Sequence, residues 1–288
     1  MATLQDIRRR IRSVQSTQKI TRAMKLVAAA KFRRAQERLI EARPYAARMG
    51  ELAGRLTRGL GEDKHPLLAR RAGTRTLYMV ITADKGLCGA FNSNVVRRAT
   101  DLLRGGTPGV ALLVVGRKAR EFFGRRAWPI RGNRVGVLDR LTFAHARELA
   151  GELMGAYLAD EADEVWVVFN EFRSVAVQRA VAERLLPIEP PGDPAAGEGP
   201  GVDYLYEPDA ATILDVLLPR HVEVQVYRAL LETSAGEHGA RMTAMEAASR
   251  NAQEMIGQLT IQYNKARQER ITKELLDIVG GAEALRAR

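Results

Sequence analysis

The chain has 288 residues, 46% of them hydrophobic and 27% charged, which describes an ordered protein and excludes a disordered one. Its single cysteine, Cys88, excludes a disulfide framework and a cysteine metal cluster, the four histidines show no ligand spacing, and no apolar run approaches the roughly 18 residues that a membrane-spanning helix needs. The net charge of +11 is unevenly placed: residues 1–58 hold 15 Lys or Arg against 4 Asp or Glu, while the other 230 residues hold 30 of each. So basic a segment suits an acidic partner, whether nucleic acid, anionic lipid or an acidic protein surface.

Residues 1–58 predict one long amphipathic helix. Leu4, Ile7, Ile11 and Val14 recur at spacings of three and four, and Ile20, Met24 and Val27 continue the rhythm after a shift near Gln18. The narrow stripe is a coiled-coil seam, and the shift reads as a stutter. Pro44 is expected to bend or break the helix. The Arg-rich, acid-poor start also has the composition of a mitochondrial transit peptide.

From 75 to 188 the character changes. "TLYMVITAD", "GVALLVVG" and "DEVWVVFNEF" read as strands, and "AVQRAVAERLLPIE" can pair with the last of them; "NVVRRATDLLR", "RKAREFFGRR" and "FAHARELAGELMGAYLADE" read as helices. Alternation of strand and helix predicts a parallel sheet covered by helices, a small Rossmann-like α/β domain. Residues 189–208 form a Pro- and Gly-rich linker. A second long helix occupies 209–288, with Asp209 as N-cap, a kink permitted at Pro219, and a seam of Met245, Ala248, Ala252, Met255, Leu259, Tyr263 and Ala266 ending at Gly280–Gly281. The economical arrangement of a domain inserted between two long helices is an antiparallel coiled coil of the chain ends. If the first helix pairs from Asp209 onward it runs out near residue 266, which places Arg267 and Gln268 where a pair becomes a single helix.

Motif chemistry is sparse. Neither a P-loop nor G-x-G-x-x-G is present. "DKGLCGAFN", Asp84 to Asn92, sits where nucleotide loops often lie, but only Gly86 and Gly89 serve it and no hydroxyl follows its lysine, so a tight strand-to-helix turn is the simpler reading. Cys88 has no histidine near it in sequence to activate it. The basic helix could lie along DNA, although Arg8, Arg9, Arg10 and Arg12 point in most directions and the apolar stripe demands a partner helix. A nucleic-acid-binding coiled coil and a nucleotide-dependent enzyme are therefore two readings that the residues leave open.

Five segments then resemble the gamma subunit of F-type ATP synthase. They are "IRRRIRSVQSTQKITRAMKLVAAAKFRRAQ", "ITADKGLCGAFNSN", "DYLYEPD", "RMTAMEAASRNA" and "YNKARQERITKELLDIVGGAEAL", in order across nearly the whole chain. The resemblance implies a non-catalytic rotor shaft, without cofactor or metal. Its partners would be a ring of alpha and beta subunits, the epsilon subunit and the c-ring, and no nucleic acid. By residue, it implies that Met24 and Lys25, and Lys85 and Cys88 in the turn, meet an acidic lever of the beta subunit, with a packing role for the cysteine. Arg267 and Gln268 would meet a polar, acidic loop of beta. Gln268 points about 200° from Ala266, away from the seam. Ile271, Leu275, Leu276, Ile278 and Val279 would face an apolar sleeve, and Tyr204 and Glu207 the c-ring and epsilon. It also implies that the Arg-rich opening is shaft rather than transit peptide. With no second cysteine there is no chloroplast-type thiol switch, and the expected location is the cytoplasmic face of a bacterial inner membrane. Glu246 departs from the family pattern, where a lysine is expected.

Overall fold

The computed structural model describes residues 3–60, 65–105, 109–189 and 210–286. Two compact units divide the chain: Met1–Val27 with Met242–Arg288, and Ala28–Arg241. Two helices contribute to both, α1 (Leu4–Leu60) and α5 (Ala210–Arg286). Pro44 and Pro219 sit inside these helices without ending them, so the expected break at Pro44 is absent. Gly280 and Gly281 likewise do not end α5, which runs on to Arg286. A glycine costs only about 1 kcal/mol in a helix, and neither adopts the left-handed conformation that a terminating glycine supplies. The linker, Asp209, Tyr204 and Glu207 lie outside the described residues.

The larger unit is built on five strands: β1 (Thr76–Ile81), β2 (Ala111–Val115), β3 (Ile130–Arg134), β4 (Glu164–Phe172) and β5 (Gln178–Leu186). Their order is β3-β2-β1-β4-β5, parallel except for antiparallel β5. The central strand "TLYMVI" is buried on both faces, as the uninterrupted apolar run requires of a strand covered by helices on both sides. Strand β3, "IRGNR", escapes sequence reading because an edge strand exposed at alternate positions needs few apolar residues.

Chain order fixes the layers. From β1 the chain moves outward through α2 (Phe91–Arg104) to β2 and through α3 (Arg117–Phe123) to β3. It then returns through α4 (Phe143–Leu158) to β4. Helices α2 and α3 cover one face, where Val95, Ala99, Leu103 and Phe123 pack on Val80, Leu112 and Val114. The other face carries α4 and parts of α1 and α5: Leu39, Leu149, Tyr157, Leu218 and Leu230 pack on Met79, Ile81, Val167 and Phe169. Strand order reverses between β1 and β4, the place where open α/β sheets form their crevice. Gly116, after β2, has φ +95°, and a Cβ there would lie 2.0 Å from the Thr82 oxygen, so only glycine lets the two loops at the strand ends meet. Among the described residues no helix is long and apolar enough to cross a membrane.

Two enclosed histidines of this unit stay neutral. Burial pushes both His221 and His238 down to about 4; Arg228 adds to the effect on His221, and Arg241 and Lys31 to that on His238, against Asp139. An unfolded histidine titrates near 6.5. Below that pH the unfolded chain binds protons that the folded chain refuses. Stability from these residues is thus complete above about 6.5 and drains as pH falls toward 4. In circular-dichroism melts between pH 7 and pH 5 these histidines add a loss of stability toward acid, against the opposing gain from the raised carboxyls of buried Glu232 and Glu237. In His221→Gln that loss should be smaller by up to about 1.4 kcal/mol per pH unit, the worth of one proton.

Candidate functional site

Among the described residues two places carry the sequence-derived candidates, one in each unit. In the smaller unit α1 and α5 pair antiparallel. The Gln18 side-chain amide donates to the Gln253 oxygen, and Lys25 Nζ lies 3.1 Å from Glu246 Oε1. Seven residues forward on α1 thus match seven residues back on α5. Two further heptads from Gln18 bring Leu4 level with Arg267, so the partner helix ends there. The side chains agree: Tyr263 and Ala266 are half-buried, and every described side chain from Arg267 to Ala282 is exposed. Among them Ile271, Leu275, Leu276, Ile278 and Val279 are 49%, 58%, 66%, 68% and 56% exposed. Arg270 pairs with Glu274 at 2.7 Å, one turn away.

The seam of α1 has no stutter. It continues in unbroken sevens through Gln18, Thr21 and Lys25, while Ile20 and Val27, read from sequence as seam, point outward at 57% and 58% exposure. What changes near Gln18 is the chemistry of the seam, not its geometry. Polar side chains can occupy a narrow two-helix seam when each finds a partner across it, at a cost in burial and a gain in register. On α5 the seam runs through Ile256, and Met255 is 49% exposed, also against the sequence reading. The unexpected Glu246 is the counter-ion of Lys25; Lys25 and Met24 are half-buried.

The second place is the turn between β1 and α2. Asp84 accepts from the backbone N–H of Arg117 at 2.9 Å and of Gly136 at 3.0 Å, tying the turn to its neighbours. Asn92 accepts from the Ala83 N–H at 2.9 Å and donates to the Lys85 carbonyl at 3.3 Å. Leu87 and Gly89 both have positive φ, 61° and 58°. For leucine that is a strained backbone, sustained because the surroundings over-determine it. The turn directs its carbonyls toward α5: Arg241 donates to the Gly86 oxygen at 3.2 Å and approaches that of Lys85 at 3.5 Å, while pairing with buried Glu237 at 2.7 Å. Burial raises the Glu237 carboxyl above its usual range although Arg241 opposes the shift. The crevice at the strand ends therefore offers acceptors to a cation of this same chain. Close approach of α5 is permitted by Gly236, where a Cβ would lie 2.9 Å from the Phe91 ring.

Cys88 does not reach the surface. It is 2% exposed and packs among Ala83, Phe91 and Ala240, and burial pushes its thiol up. Sequence reading placed it in the contact turn with a packing role; its enclosure fits the packing role and leaves its side chain no outward contact. An inward residue in a turn with alternating backbone handedness supplies packing, and the side chains offered outward are Lys85 and Leu87, the latter 63% exposed. Leu87 was missed because a lone leucine in "DKGLCG" carries no signal until its φ is known. Lys85 lies 3.7 Å from Asp139, which Lys31 also approaches at 3.8 Å.

A profile described as ATP synthase matches residues 3–285. The chain is 49% identical to the ATP synthase gamma chain of Pelotomaculum thermopropionicum and 48% identical to that of Geotalea daltonii, covering 99% of this chain and 100% of each relative. This chain belongs to the ATP synthase gamma chain family. A central stalk and c-ring structure of the Tetrahymena thermophila mitochondrial ATP synthase matches at 26% identity with TM-score 0.61, over 80% of this chain and 99% of that one. A chain of the Euglena gracilis enzyme matches in fold, TM-score 0.70 at 21% identity, over 99% of this chain and 95% of that one. The long terminal helices and parallel-dominated sheet are thus the gamma-chain architecture, and the gamma chain is the central-stalk subunit.

Arg241 ties the gamma-chain turn to α5. Arg241→Ala leaves Glu237 enclosed without its partner and is expected to cost about 3–5 kcal/mol in urea unfolding. Hydrogen exchange at Gly86 to Gly89 should accelerate beyond what the global loss explains. Arg241→Lys should fall between, retaining the charge without the two-pronged donor.

Proposed function

We propose that this gamma chain is the non-catalytic central rotor of the ATP synthase, coupling proton-driven rotation of the c-ring to sequential conformational change in the catalytic beta subunits. The observation that carries the reading is the end of α5. Beyond Arg267 no helix among the described residues lies beside it, yet it exposes five large apolar side chains within nine residues. Exposed apolar area on that scale calls for another surface, and an apolar sleeve formed by the alpha and beta subunits answers it.

The mechanism follows from unequal contact. A single chain with an irregular surface cannot touch three equivalent beta subunits alike, so at any instant each has a different balance between its states. Swinging such a balance from 1:99 to 99:1 takes about 5.5 kcal/mol of differential interaction. Arg267 and Gln268 would supply part of it to a polar, acidic loop of beta. Met24 and Lys25 would meet its acidic lever, and Lys85 would meet the same lever from the turn, with Leu87 as the apolar half of that contact and Cys88 holding the turn from within. Ile20 and Val27, outward on α1, extend the apolar contact. Tyr204 and Glu207 would contact the c-ring and epsilon. The terminal segments 1–58 and 209–288 would then act as the shaft and 75–188 as its α/β domain. The working location is the cytoplasmic face of a bacterial inner membrane, reached through the c-ring.

Arg267→Ala is expected to reduce ATP synthesis in inverted membrane vesicles several-fold while leaving the amount of assembled complex unchanged; synthesis at the parental rate would remove the residue from the mechanism. A charge-swap series separates the two roles of Lys25. Lys25→Glu should lower both the stability of the α1–α5 pair and proton pumping per ATP hydrolysed. Adding Glu246→Lys should restore the pair but not the pumping. Full recovery of pumping in the double variant would make Lys25 purely structural.

A further inference from the structure

The balance of charge beyond residue 58 conceals a polar surface. Residues 91–126 hold eight Lys or Arg (Arg97, Arg98, Arg104, Arg117, Lys118, Arg120, Arg125, Arg126) against Asp101 and Glu121. The fold gathers part of this excess at one feature, an open groove of about 970 Å³ between α2 and α3. Its apolar floor comes from Val96 and Phe122. Its rims are mainly cationic: Arg97 and Arg104 on α2, with exposed Asp101 between them, and Arg125 and Arg126 just past the end of α3. Within the lining, Glu121 is taken by Lys118 at 2.7 Å. Arg97, Arg104 and Arg125 make no ion pair among the described residues. Arg126 is already oriented, its guanidinium 3.5 Å from the Phe122 ring centroid and donating to the Phe122 carbonyl at 2.8 Å.

We infer that this groove is a docking site for an acidic amphipathic helix of another protein of the ATP synthase complex. Two side-by-side helices present ridges between which a third can lie. The α2 wall, 14 residues, is about 20 Å long, but the α3 wall, seven residues, is about 10 Å, so the stretch walled on both sides matches about two turns of a guest helix. An apolar stripe on the guest would cover Val96 and Phe122. Carboxylates flanking that stripe would meet Arg97 and Arg104 on one rim and Arg125 and Arg126 on the other. A nucleic acid or a lipid headgroup would use the cations but leave the apolar floor uncovered, so charge and floor together favour the helix. Unpaired arginines at a rim act mainly on encounter and partner choice, and they make the contact sensitive to salt.

The inference rests on membership of the ATP synthase complex, not on the contacts proposed for α5. The test places a photo-crosslinking amino acid at Thr100, in the groove lining, within the assembled complex in native membranes. Mass spectrometry is expected to map adducts to one acid-rich helical segment of a partner protein. Arg97→Glu with Arg104→Glu should reduce the yield about ten-fold, and Arg97→Gln with Arg104→Gln should reduce it less. Raising salt from about 0.1 to about 0.5 M should also reduce it. Retained ATPase activity reports an intact complex in each variant. Absence of an adduct, adducts only to lipid or nucleic acid, or a protein adduct indifferent to charge reversal would each overturn the proposal. A failure of the α5 contacts would instead appear as lost coupling with the adduct intact.

Discussion

Much of this chain follows from the register between two helices, and that register is held by polar residues. Lys25 with Glu246 and Gln18 with Gln253 bridge the two helices at the edge of the seam, beside its buried members Ile7, Thr21, Met245 and Ala252. A uniformly apolar seam tolerates sliding by a heptad, because each new alignment buries the same kind of surface. A lysine that must find a carboxylate does not tolerate it, and neither does a glutamine that must find an amide. The alignment so chosen ends the partner helix at Leu4. Among the described residues, α5 from Arg267 onward therefore has no helix beside it. The exposed apolar end of α5 is thus a consequence of the seam several heptads away, not a local property of that end.

The turn after β1 shows a comparable economy. Open α/β sheets leave a crevice where strand order reverses, and phosphate-binding members line it with backbone N–H groups. Here the backbone at Lys85 and Gly86 is turned so that carbonyls face the crevice, and Arg241 from α5 donates to them. The position that serves other proteins as a ligand site serves this one as an anchor between its sheet and its C-terminal helix. The left-handed backbone at Leu87 and the enclosed Arg241–Glu237 pair both cost free energy. Their combined effect is a rigid turn with Cys88 inside and with Lys85 and Leu87 outside.

Charge tells two stories at two scales. Counted along the chain, the excess lies wholly in the first 58 residues. Mapped onto the fold, a second excess stands on the outer face of α2 and α3, balanced by acids that are dispersed elsewhere. The first is spread around a helix whose narrow seam must be buried. The second is gathered along a groove with an apolar floor, and only that geometry gives it a specific counterpart.

The amino-acid sequence alone determined the class of the fold, the two long helices, three core strands and the point where the helix pair ends. These are local periodicities and lengths, and they survive because each element buries a stripe or face written in its own residues. Strand β3 was not legible, since "IRGNR" at an edge buries too little to leave a pattern. The seam past Val14 was misread for the complementary reason: Ile20 and Val27 are apolar but face outward, and Thr21 and Lys25 are polar but face inward. Which of two possible stripes is buried depends on what lies across the seam, and the partners Gln253 and Glu246 stand more than two hundred residues away in sequence. Likewise Cys88 and Leu87 are neighbours whose opposite fates, one enclosed and one presented, follow from a backbone φ sustained by contacts from α3, α5 and the loop after β3. Only tertiary structure could decide those, because the energies that decide them belong to pairs of residues and not to any one residue.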